Sequence, residues 1–228
     1  MNLRQQRYLY LTVFTSGLVT LGIELSASRL LGTAFGTSNV VWASIIGLIL
    51  LYLTAGYFLG GYLADRSPYP ATFYRVIAWG AFTAGLVPVA GRPLIHLAAR
   101  IAQNSGAAVL IGSLGTMLIL FIVPVTLLGT ASPFAVRLSI RDTASAGHVS
   151  GRLYAVSTIG SIVGTFLPVL VLLPALGTTL TFLVLAGGLL VVALIGMGLN
   201  GGRQALSLIW MPFALLTVGL LSFWLSRY

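Results

Sequence analysis

Long apolar runs, separated by short stretches that carry most of the arginines, make up nearly the whole chain. The runs fall at about 8–31, 39–63, 72–90, 107–129, 153–174, 178–199 and 206–225. A hydrocarbon core about 30 Å thick is crossed by roughly 20 apolar residues in helical form, and each run is of that order. None alternates apolar and polar positions as a barrel strand does. Within hydrocarbon a lone segment satisfies its backbone only as a helix. The pattern predicts an all-α fold: a polytopic membrane bundle of about seven transmembrane helices, forming one domain over 1–228.

The connections sharpen this picture in two places. Residues 91–106 carry Arg92, His96 and Arg100 at the spacing of one helical face, which predicts a short helix lying on the membrane surface. Residues 130–150 carry Arg137, Arg141, Asp142 and His148 and read as the main cytoplasmic loop. Within the runs, Gly56 and Gly60, and Gly160 and Gly164, are four apart and stack on one helix face, so close backbone packing is expected. Pro88, Pro124, Pro168, Pro174 and Pro212 each lack a backbone donor and are expected to bend or end their helices.

Composition removes whole classes of function. The chain is 58% hydrophobic and 7% charged, whereas about a quarter of the residues in soluble domains are charged. It has no cysteine, hence no thiolate metal site, iron–sulfur cluster or thiol nucleophile. His96 and His148 lack a second ligand at metal spacing, and no cofactor or catalytic set is expected. The net charge of +9 rests on arginines in short loops, which points to membrane orientation and lipid headgroups and not to nucleic acid. Arg4 and Arg7 precede an apolar run as in a secretory leader, but that run exceeds the roughly 7 to 15 residues of a leader core. It is expected to remain as the first helix.

Arginine placement sets the orientation. With a cytoplasmic N-terminus, Arg4, Arg7, Arg66, Arg75, Arg137, Arg141, Arg152 and Arg203 lie inside, against Arg92, Arg100 and Arg227 outside. That imbalance favours N-inside in a cell inner membrane. Trp42, Trp79, Trp210 and Trp224 fall near the ends of runs, where indole prefers to sit.

Scarce polar groups then become the candidate sites. Glu24 lies inside the first run, where an unpaired charge costs several kcal/mol. Arg29, five residues on, is about 140° around the helix and out of register for the favoured four-residue pair. Glu24 and Arg29 therefore read as a solute or ion-pair site, or as struts to other helices. Arg137, Arg141, Asp142 and Arg152 form a candidate docking or lipid-contact surface, with Arg152 in reach of headgroups or of Asp142. Tyr154, Ser157 and Ser161 form a candidate polar stripe, lining a solute path or bonding between helices.

The second run ends in GGYLADRSPYP. There Gly61, Asp65 and Arg66 resemble the start of the G-x-x-x-D-R loop of major facilitator transporters, while Ser67, Pro68, Tyr69 and Pro70 depart from its later glycine and basic positions. The resemblance implies a gating or locking role for Asp65. A wider resemblance runs through IELSASRLLGTAFGTSNVVWASIIG, LGGYLADRSP, LLGTASPFAVRLS and GRLYAVSTIGSIVGTFLPVLVLLPALGT. These stretches are similar, in order, to the N-terminal membrane module of bacterial proteins that join a transporter-like bundle to a spermidine synthase domain. After Tyr228 no such domain follows, so the catalytic half is expected to be absent. The resemblance implies a non-catalytic membrane subunit that anchors or scaffolds other chains: a soluble aminopropyltransferase-like enzyme, a membrane complex or a second copy. The alternative is a transporter, or half of one, for a small cation or polyamine, using Glu24 and the Asp65–Arg66 loop.

Overall fold

A computed structural model describes residues 2–102, 106–140, 142–200 and 203–225. It contains helices α1 (Leu3–Phe35), α2 (Asn39–Arg66), α3 (Pro70–Ala102), α4 (Gly106–Gly129), α5 (Ala131–Ser139), α6 (Ala146–Leu167), α7 (Leu173–Leu199), α8 (Arg203–Leu206) and α9 (Trp210–Leu225), and no strand among the described residues. Among those residues, five helical runs are long and apolar enough to cross a bilayer: Leu3–Phe35, Asn39–Arg66, Pro70–Ala98, Ile111–Ser139 and Ala146–Leu199. The fold is that of a helical membrane bundle.

Local chemistry sets the helix ends. α1 begins five residues ahead of its apolar run because Asn2 and Gln5 cap it reciprocally: Gln5 N donates to Asn2 Oδ1 at 2.9 Å, and Asn2 N to Gln5 Oε1 at 3.0 Å. α1 stops at Gly36 (φ 77°, ψ −176°), a conformation open essentially only to glycine. Gly177 (φ 74°, ψ 176°) adopts the same one. It lies inside the 54-residue run Ala146–Leu199, which straightened would measure about 80 Å and overshoot any bilayer. Instead the chain folds back there.

Interhelical contacts fix the helix directions. Gly160 packs on Phe14, Gly164 on Leu18, and Gly22 on Pro168, a constant offset that makes α1 and α6 parallel. Against α1, α7 runs the other way. Gln5 Nε2 donates to the Leu199 carbonyl at 3.4 Å, Tyr8 Oη to that of Val192 at 2.8 Å, and Gly22 meets Leu185. Gly56 and Gly60 of α2 sit on Thr126 and Thr130 at the end of α4, so α2 and α4 are parallel. On α3, Gly80 meets Leu127 and Gly91 meets Leu120, so α3 opposes α4. α3 also opposes α7, through Tyr74 on Gly196 and Arg92 on Thr179. Trp210 packs edge-on against Phe82, at a centroid distance of 5.1 Å, and Leu215 reaches Gly85, so α9 runs with α3. α1, α3, α6 and α9 thus share one direction, while α2, α4 and α7 take the other.

α1 is the hub, packing on α2, α3, α4, α5, α6 and α7. Large side chains fill the interior around it: Tyr74, Phe73, Phe121, Phe134 and Phe182 are fully buried. α2 and α6 flank α1 without an extended interface between them.

Several expectations are corrected. Residues 91–102 are not a separate surface helix but the continuation of α3 through Pro88 and Pro93. Most of 130–150 is not a loop. α5 follows α4 directly, burying Ala131, Phe134 and Ala135, and α6 begins at Ala146, ahead of the expected 153. The last apolar run is broken before Trp210, so its first residues belong to α8 and a turn. Pro88, Pro93 and Pro124 lie within continuous helices, whereas Pro168 opens a π-helical turn, Pro168–Leu172.

Candidate functional site

The polar side of α1 is built from residues four apart. Thr20, Glu24 and Ser28 follow Gly17 on one face, because successive i, i+4 positions stack along a helix. Gly17 is where α6 touches α1. Ser161 Oγ donates to the Gly17 carbonyl at 3.3 Å, and a side chain on Gly17 would strike the Ser157 carbonyl. On α6, Ser157, Ser161 and Thr165 repeat every four residues along that seam. Apart from Ser157, these hydroxyls donate to backbone carbonyls. Thr20 donates to Ser16 O at 2.8 Å, Ser28 to Leu25 O at 2.8 Å and Thr165 to Ser161 O at 2.9 Å.

Glu24 differs from these bonded groups. It is partly buried, and no hydrogen bond or ion pair to it is found among the described residues. Arg29 does not pair with it either; that side chain is exposed at the far end of α1. The two candidates are thus separate features. Tyr154, the third member of the expected stripe, is 52% exposed and lies within electrostatic reach of Tyr57 on α2. Thr20, Ser28, Thr165 and Tyr57 were not singled out from the sequence, although the four-residue spacing from Glu24 and from Ser161 was available to find the first three.

At the end of the bundle that holds the N-terminus, Arg137 Nε donates to Asp65 Oδ1 at 2.9 Å, joining the end of α2 to α5. The chain places them together because α2 runs parallel to α4 and α5 in constant register from Gly56 onward. Both side chains are more than half exposed, and exposed pairs contribute about 0–1 kcal/mol. A double-mutant cycle of Asp65→Asn and Arg137→Gln is expected to give a coupling below about 1 kcal/mol, read from chemical unfolding in detergent. A larger coupling would make this pair a structural clamp. Arg66 stacks over the Tyr62 ring, 5.1 Å from its centroid, and Gly61 is open, with nothing near its absent Cβ.

The basic segment behaves differently from its sequence reading. Arg152 lies over the Tyr10 ring at 5.4 Å, so its partner is an aromatic face on α1 and not Asp142. Asp142 holds the turn before α6: its side chain accepts from Ala144 N at 3.3 Å and its carbonyl from Ser145 Oγ at 3.1 Å. Arg141 lies outside the described residues. No group of three or more His, Cys, Asp or Glu able to hold a metal is found among the described residues.

Among the described residues this arrangement offers no nucleophile beside a base and no paired carboxylates. It offers one unpaired acid on a hydroxyl-bearing seam, with the flanking faces of α2 and α6 left open. No family model matches the chain, and neither a curated protein nor a solved structure does.

Proposed function

We propose that this chain is a non-catalytic subunit of the cell inner membrane, crossing it seven times from a cytoplasmic N-terminus, which works by lateral assembly with a partner bundle. The alternating helix directions and the arginine imbalance support the topology. One feature carries the function: Glu24, for which no partner is found among the described residues, follows by seven residues the Gly17 on which α6 packs and so shares that side of α1. Lipid cannot satisfy a carboxylate, so this side is covered by protein or by a hydrated space between proteins. Tyr57 and Tyr154, each about half exposed on the flanking helices, extend the same polar strip. The resemblance to the membrane module of spermidine synthase-like proteins supports an anchoring or scaffolding role.

The native chain has no cysteine, so one introduced thiol reports one position. Tyr57→Cys and Tyr154→Cys are expected to form cross-links to a second chain in native membranes, while Ile195→Cys, on the outer face of α7, does not. Absence of cross-linking at both tyrosine positions overturns the assembly reading. A second reading is favoured by Glu24 itself. With a partner bundle in place, the strip becomes half of a pathway for a small cation or polyamine, and the Asp65–Arg66 loop becomes its gate.

A further inference from the structure

Where α1 ends, the bundle contains a cavity of about 670 Å³ between α1, the start of α2 and the π-helical turn after α6. The turn forms one wall of the opening. Pro168 has no N–H to give, and the Leu173 N–H reaches back five residues to the Pro168 carbonyl, widening the helix as π turns do. Pro168 itself stays on Gly22. Beyond that contact the two helices part, leaving a space within the roughly 300–1,000 Å³ range of ligand pockets.

The wall is two-sided in chemistry. Phe166, Val169 and Leu170 give an apolar surface, while Arg29, Ser28 and Thr37 gather at the rim. Arg29 is the unusual member, for no acid or hydrogen-bond acceptor engages it among the described residues. Arg92, at the same end of the bundle, is placed differently. Arg92 lines a separate cavity and donates to Thr179 Oγ1 at 3.3 Å. One arginine is held by the protein and the other is available to a ligand.

We propose that this cavity binds one anionic amphiphile, whose phosphate or carboxylate head meets Arg29 with Thr37 and whose acyl chain lies on Phe166, Val169 and Leu170. The apolar wall selects a lipid over a free anion. The guanidinium selects a negative head over a zwitterionic one, through charge-assisted hydrogen bonds. The site adjoins the Glu24 strip, sharing Ser28 and Thr165 with it, but its charged group is Arg29 and its ligand needs no contact with Glu24.

The test is native mass spectrometry of the full chain in detergent, titrated with phosphatidylglycerol, phosphatidylcholine or inorganic phosphate. One phosphatidylglycerol is expected to bind, about tenfold tighter than phosphatidylcholine, with no displacement by millimolar phosphate. Arg29→Gln is expected to erase the preference, Arg29→Lys to retain most of it, and Arg92→Gln to leave it intact. Val169→Trp, which fills the cavity, is expected to weaken both lipids. Equal binding of the two lipids, or an unchanged preference in Arg29→Gln, overturns the proposal. So does displacement by phosphate, which would make this a site for the head alone.

Discussion

Gly164→Ala, the smallest possible enlargement, is expected to destabilise the bundle by about 1–3 kcal/mol, and Gly164→Leu by about 3 kcal/mol or more. A β-carbon at Gly164 meets the Leu18 carbonyl, and one at Gly160 meets the Phe14 carbonyl. These obstacles are backbone atoms of a neighbouring helix, which no rotamer change can move, so the helices must separate. α1 is the hub of the fold, so parting it from α6 loosens the centre of the molecule. The Gly160 and Gly164 effects should add less than fully, because the first substitution already opens the shared interface. Gly188→Ala on α7 is the control: nothing lies near its absent Cβ, and replacing a helical glycine there gains about 0.5–1 kcal/mol. Unfolding of the purified protein in detergent, followed by intrinsic fluorescence, measures both. Equal effects at Gly164 and Gly188 would mean that α1 and α6 are not in backbone contact.

That glycine pair shows how much the chain discloses by itself. Four-residue spacing is enough to announce close packing, as it does for Gly56 and Gly60, yet it names no partner helix. Pairing α6 with α1 and α2 with α4 depends on chain directions that only the three-dimensional arrangement supplies. The membrane class and helical character follow from the apolar runs alone. The longer extent of α3 was hidden by Pro88, expected to bend or end its helix, although the Arg92, His96 and Arg100 spacing already continued a helical face. In a membrane bundle neighbouring helices re-satisfy the freed carbonyls, so proline is a weaker stop. α5 was masked by the charges at and after its end, Arg137, Arg141 and Asp142, yet Ala131, Phe134, Ala135 and Ser139 bury at helical spacing. The site was half legible. Glu24 stood out as an acid in hydrocarbon, and Asp65 as a loop acid, but the Arg137 contact spans 72 residues of sequence and no local pattern predicts it. Arg152 on Tyr10 is of the same kind.

Glu24→Leu is expected to stabilise the isolated protein while removing its function. An acid at the centre of a membrane helix costs about 2.5–3.5 kcal/mol on insertion scales, and no described residue pairs with Glu24 to offset that cost. Glu24 lies beyond the middle of α1, where the cost is lower than at the centre, so a gain of about 1–2 kcal/mol is expected. Glu24→Gln should fall between, since an amide keeps the polarity and cannot ionise. A buried strut would respond with the opposite sign, because deleting one partner strands the other at a cost of about 3–5 kcal/mol. Unfolding in detergent therefore separates a retained functional acid from a structural one before any ligand or partner is known. Cross-linking of Tyr57→Cys and Tyr154→Cys in the Glu24→Leu background then divides the two functional readings. If Glu24 holds a partner bundle, the cross-links disappear. If it serves cation movement within an intact assembly, they persist, and uptake of a polyamine by proteoliposomes is lost. A destabilised Glu24→Leu protein with cross-links and uptake unchanged would reduce the acid to a packing element and remove the basis for both.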